Sequence, residues 1–130
     1  MNRISALGSC QIAIFEQSLK KSANARSLDA EVFYNDPEST LQNVFGFIEQ
    51  AVDGSDISDI VSSDLFTRYS KNPNQNYDNN TRLAQRDAIR EQLSGDLEKG
   101  REWVTRHSEQ CEIPLALSKP MTDTASSLLD

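Results

Sequence analysis

TRLAQRDAIREQLSGDLEKGREWVTRHSEQC, residues 81–111, decides the fold class. Ile89, Leu93, Leu97, Gly100, Val104, His107 and Cys111 recur at intervals of three or four. On a 3.6-residue repeat they draw one stripe down a helix of about eight turns. Trp103 stands at the edge of that stripe. Arg86, Asp87, Arg90, Glu91, Glu98, Arg101, Glu102 and Arg106 keep the other faces wet. The stretch predicts a long C-terminal amphipathic helix whose stripe (Ile89, Leu93, Leu97, Gly100, Trp103, Val104) packs on other helices or on a second copy. Gly95 and Gly100 weaken so long a helix, and a break at Ser94-Gly95 is the alternative.

Upstream, Asp36-Pro37-Glu38 has the chemistry of a helix start: a capping carboxylate, a proline in the first turn and an acid beside it. Leu41, Val44, Phe45, Ile48 and Val52 form its buried face, and Asp53-Gly54 is expected to end it. Ser55 then opens a second helix with the stripe Ile57, Ile60, Val61 and Leu65, so residues 36–66 read as an αα-hairpin. Residues 3–22 make either one helix, with Ile4, Leu7, Ile12, Phe15 and Leu19 inward, or a strand (4–7), a tight turn at Gly8-Ser9-Cys10 and a helix. Residues 30–34 are a short strand or an extended connector. SKNPNQNYDNN (70–80) reads as an exposed loop, with Asn79, Asn80 or Thr81 capping the helix beyond it. Residues 118–130 read as a loosely held tail unless Leu128 and Leu129 dock.

The expectation is therefore a mainly α, single-domain chain (1–130), a small bundle of three to five helices. A small α/β layer with strands near 4–7, 30–34 and 57–62 is the alternative. An apolar fraction of 37% and a mean hydropathy of −0.58 imply a thin core, or one completed by a partner. No run of eighteen apolar residues is present, and Gln11, Glu16 and Gln17 interrupt any leader-like start, so neither a membrane span nor a signal peptide is expected. Two cysteines a hundred residues apart fit a reduced cytoplasmic setting better than a disulfide framework.

The net charge of −7 is unevenly placed. Residues 1–26 sum to +3, whereas residues 27–66 hold nine acids and no Lys or Arg. Such a block repels nucleic acid and membrane surfaces and attracts basic partners. Its partner-binding candidates are Glu49, Asp53, Asp56, Asp59 and Asp64. A nucleic-acid mimic, presenting these acids in place of phosphates, is a third reading.

Catalytic signals are few. No Gly-rich phosphate loop, HExxH, GxSxG or CxxC occurs, and no cofactor is expected. His107 is the sole histidine; with Cys111 one turn on it makes a weak metal motif, and its bland reading is a packed helix residue. A Cys10–His107 nucleophile pair has no support in sequence spacing. The paired carboxylates Asp56/Asp59 and Glu98/Glu102 fall on solvent-facing positions that would not raise a pKa.

Gly8-Ser9-Cys10-Gln11, following the optional N-terminal strand, resembles the Gly-Asn-Cys-Gln element of a polysaccharide-biosynthesis acyltransferase-like family with an SGNH-hydrolase-type α/β fold. Ser9 stands at the asparagine, and the likeness spans residues 3 to about 65. It implies an acyl- or pantetheine-binding turn. The preferred expectation is a non-enzymatic acidic helical protein that acts by protein–protein contact.

Overall fold

The computed structural model describes residues 3–69, 71–122 and 127, with side chains from Gly8 onward except that of Pro73. It is mainly helical. Among the described residues six α-helices run α1 (Arg3–Lys21), α2 (Ala30–Asn35), α3 (Pro37–Phe47), α4 (Gly54–Ser62), α5 (Asn79–Gln92) and α6 (Ser94–Ser108). A 3-10 turn (Asp64–Phe66) and a two-stranded hairpin, β1 (Arg68–Tyr69) and β2 (Asn72–Asn76), lie between α4 and α5. The segments 4–7, 30–34 and 57–62 of the α/β alternative are all helical, and among the described residues the sheet is a two-stranded hairpin only. The chain expected as one domain divides into two compact units. One is the chain up to Asp29 and from Gln92 onward, and the other is Ala30–Glu91.

In the Ala30–Glu91 unit, α3 starts where its sequence chemistry says it should. Asp36 Oδ1 accepts from the Ser39 amide at 3.3 Å, with Pro37 in the first turn. The helix stops at Phe47, five residues short of Val52. There Glu49 takes φ 56°, Gln50 N donates to Phe45 O at 3.0 Å, and Glu49 N to Gly46 O at 3.2 Å. Those two bonds form a Schellman ending with glutamate where glycine is usual. Gly54 is accordingly the first residue of α4 rather than a helix terminator, and Asp53, not Ser55, holds the N-cap position. α3 and α4 pack together, with Ile57 buried and Ser58 Oγ donating to Glu38 Oε1 at 3.3 Å.

The expected loop at 70–80 contains the hairpin instead. Tyr77 N donates to Thr67 O at 2.9 Å, and the Tyr69 and Tyr77 rings lie 5.1 Å apart, so aromatic contact closes a segment poor in strand formers. α5 is capped by Asp78 rather than by the asparagines. Its Oδ1 accepts from the Thr81 amide at 2.8 Å and the Thr81 hydroxyl at 2.7 Å.

The stretch 81–111 holds two helices rather than one, with the break at Leu93, next to the Ser94-Gly95 break that was the alternative. Leu93 leaves helical geometry (φ −104°, ψ 13°), and its carbonyl accepts from both Asp96 N and Leu97 N, which starts α6 afresh. α6 ends at Ser108, and the turn after it closes at Glu112 (φ 50°), where Ile113 N donates to Ser108 O at 2.9 Å.

In the unit formed by the two chain ends, α1 is a single helix through Gly8 and packs on α6. The side chains of Ile4 and Leu7 lie outside the described ones, as do Leu128 and Leu129. Each unit has a very small core. Leu19 in this one and Ile57 in the other are the buried hydrophobic side chains among the described residues.

Candidate functional site

The acidic set lies within the Ala30–Glu91 unit. α4 turns Ile57 inward and half-buries Ile60 and Val61, which leaves Asp56 and Asp59, one turn apart, on its exposed side. Asp53 precedes them at the N-cap position without capping through its side chain. An acid at a helix N-terminus is favoured by the helix dipole, so Asp53 and Asp56 suit their places even with no cation beside them. Among the described residues no Lys or Arg forms an ion pair with Asp53, Asp56, Asp59 or Glu49. Asp64 is different: Arg68 Nη2 meets its carboxylate at 2.7 Å. The structure thus groups Asp53, Asp56 and Asp59 as uncompensated charge, ties Asp64 to the hairpin, and seats Glu49 on the left-handed residue that ends α3.

Several other acids in this unit are committed to the fold, Glu31 above all. Glu31 on α2 receives Arg82 in a two-point grip, Nη1–Oε1 at 2.6 Å and Nη2–Oε2 at 3.0 Å, and Arg86 Nη1 adds a third contact at 2.9 Å. The Arg82 hydrogen bonds hold the Glu31 carboxyl below the ordinary glutamate range, against a smaller opposing effect of burial. The same contact raises Arg82. Arg82 also lies 4.8 Å from the Tyr34 ring centre, and Asn79 reaches Asn35 at 3.3 Å, so α5 is bound to α2 by polar chemistry. Phe33 of α2 packs on Phe66 of the 3-10 turn, with ring centres 5.7 Å apart. Sequence spacing places Arg86 on a wet face among alternating acids and gives no sign that its partner is Glu31, fifty-five positions away.

Apolar exposure accompanies the charge. Leu65, in the turn after α4, is 80% exposed, and Ile48, at the end of α3, is also exposed. The stripe expected to pack is largely uncovered: Ile89 is 55% exposed on α5, and Leu93 and Leu97 are each 43% exposed at the head of α6. Gly100, Trp103 and Val104 are half-buried.

The remaining candidates resolve simply. Gly8, Ser9, Cys10 and Gln11 lie inside α1, so the tight turn that the acyl-binding reading needs is a stretch of helix. Ser9 is buried, and Cys10 and Gln11 are exposed. Cys10 and Cys111 are both free and exposed. His107 stacks on Trp103 with ring centres 4.5 Å apart, and its Nδ1 lies 2.7 Å from the Trp103 carbonyl. That oxygen only accepts, so Nδ1 carries the proton and His107 is committed to its own helix. Among the described residues no group of three His, Cys, Asp or Glu side chains gathers as metal ligands, and no helix is long and apolar enough to cross a membrane.

No family model, curated protein or solved structure matches this chain. The functional reading therefore rests on the residues themselves.

In the unit formed by the chain ends, residues 118–121 are held against α1 and the 22–27 segment. Ser118 N donates to Glu16 Oε2 at 2.8 Å, and Lys119 Nζ donates to Leu19 O and Ser22 O, both at 2.7 Å. Ser27 bridges in parallel to Pro120: its amide donates to Lys119 O at 2.9 Å, and its carbonyl accepts from Met121 N at 2.7 Å. The Lys119 ammonium thus satisfies carbonyls left open at the C-terminal end of α1, where a cation is also favoured by the helix dipole. Where a loose tail was expected from residue 118, residues 118–121 are pinned.

Proposed function

We propose that this protein works through protein–protein contact, as an adaptor, a chaperone-like subunit or an inhibitor, with the exposed side of α4 receiving a basic partner. One observation carries the reading. Asp53, Asp56 and Asp59 sit together on α4 with no intramolecular cation among the described residues, while Glu31, Asp36, Asp64 and Asp78 are occupied by pairing or capping. Unspent like charge costs stability through self-repulsion, and a basic surface offsets that cost on binding. Two free, exposed thiols fit a reducing, cytoplasmic setting for this work.

The test is charge reversal of Asp53, Asp56 and Asp59 to lysine together, with circular dichroism as the folding control. Proteins retained by the native chain and released by moderate salt are expected to be basic and to be lost by the variant. Retention of the same partners by the reversed variant would remove α4 from the interface.

Self-association is a second reading, favoured by the exposure of Leu93 and Leu97 at the head of α6. It predicts a sedimentation mass above 14.5 kDa that falls to the monomer value in Leu97→Glu.

A further inference from the structure

We propose that residues 118–121 form a latch that acid opens: protonating Glu16 frees the whole strap from α1 and the 22–27 segment while the helices stay folded. The strap's polar contacts meet at few points, with Pro120 and Met121 half-buried beside them. Glu16 takes the Ser118 amide, Leu19 and Ser22 take the Lys119 ammonium, and Ser27 takes and gives the two backbone bonds and adds Oγ to Ser118 O at 3.0 Å. Removing the carboxylate charge leaves a half-buried amide facing a neutral acid, next to the other bonds of the same short strap.

The docked strap carries a cost of its own. Lys119 is held at φ 53°, in the left-handed region that a side chain disfavours. Release relieves it, so the docked state depends on its polar contacts to outweigh that cost.

The charged surroundings of Glu16 set the direction. On α1, Lys20 Nζ lies 3.3 Å from its carboxylate. The strap brings Lys119, whose ammonium is occupied by the two α1-end carbonyls, and the 22–27 segment brings Arg26, whose guanidinium sits on the Ala23 and Ala25 carbonyls. Among the described residues α6 brings no ion-pair partner to Glu16. The Ser118 amide, then the Ser118 hydroxyl and Lys20 to a lesser extent, favour the carboxylate over the acid, and burial opposes them more weakly than the amide acts. The latch is therefore shut at neutral pH and opens on the acid side of the ordinary glutamate value.

The test follows amide resonances of the full chain, labelled with nitrogen-15, from neutral pH into the acid range. The Ser118, Met121 and Ser27 amides are expected to move together with one midpoint, while those of α6 stay in place. Glu16→Gln is expected to show the open-strap positions at pH 7, with amide protection at Met121 reduced by about tenfold or more and no titration. Lys119→Met provides a second route to the open strap at pH 7 should the first variant fail to fold. The proposal is overturned if Met121 stays protected while Ser118 titrates, if both variants keep the strap protected at pH 7, or if α6 is lost at the same midpoint.

Discussion

Arg82 grips Glu31 at both carboxylate oxygens, 2.6 and 3.0 Å away, across fifty-one positions of chain. The guanidinium is the less exposed partner, at 16% against 42% for the glutamate side chain. Removing the acid therefore strands the more buried charge. Glu31→Gln is expected to lower stability by about 1–2 kcal/mol, discounted for the exposure of the carboxylate, as read by urea unfolding. Arg82→Lys should lose part of that amount despite keeping the charge, because an ammonium cannot make the two-point contact. A neutral result for Glu31→Gln would mean that the Asn35–Asn79 and Tyr34–Arg82 contacts hold α2 to α5 without the ion pair.

Stability should also fall with acid, and the sign follows from direction alone. Glu31 is held below the ordinary glutamate value by the Arg82 hydrogen bonds, and Asp78 below the ordinary aspartate value by the Thr81 amide and hydroxyl. Each therefore contributes stability that is full above its unfolded value and is lost as pH falls through its folded one. The urea midpoint is expected to be level near neutrality and to drop below about pH 4.5. Glu31→Gln should flatten part of that drop, and an unchanged slope would show that the pair is already broken in solution.

Glu49 ends α3 in a conformation that costs a side chain roughly 1 kcal/mol relative to glycine. Glu49→Gly is expected to stabilise the fold by up to about that amount, because the Gln50–Phe45 and Glu49–Gly46 bonds need only the backbone. Ile57→Ala should do the opposite, by about 2–4 kcal/mol, since it empties the buried position of a very small core. Asp56→Asn, exposed on the same helix, should stay within about 0.5 kcal/mol. That contrast in urea midpoints separates the structural side of α4 from the side proposed for binding.

What the sequence made legible was local. Asp36-Pro37 announces α3 because a cap acts on an amide three residues away, and Ile57, Ile60 and Val61 announce the inward side of α4 because period and burial coincide. The break near Leu93 was legible only as the alternative at Ser94-Gly95, because the spacing from Ile89 to Leu97 continues across it as though one helix ran through. The stop at Phe47 was hidden because glutamate gives no sign of adopting a left-handed conformation, while Asp53-Gly54 looks like a stop and is a start. The acidic set was legible as composition. Its division into free acids on α4 and an Asp64 paired with Arg68 needed coordinates. Glu16 and Ser118 stand 102 positions apart, and no periodicity links them.

Gly8 offers a direct test of how α1 is built. Inside a helix it loses more backbone freedom than alanine, and a Cβ built at this position meets no atom within 4 Å. Gly8→Ala is therefore expected to stabilise the protein by about 0.5–1 kcal/mol and to raise its helical circular dichroism slightly. A tight turn at Gly8-Ser9-Cys10 would respond in the other direction, because alanine gives up the conformations for which glycine is used there. A destabilised Gly8→Ala chain would thus return residues 8–11 to the turn that an acyl-binding site requires, and a stabilised one would leave them as helix.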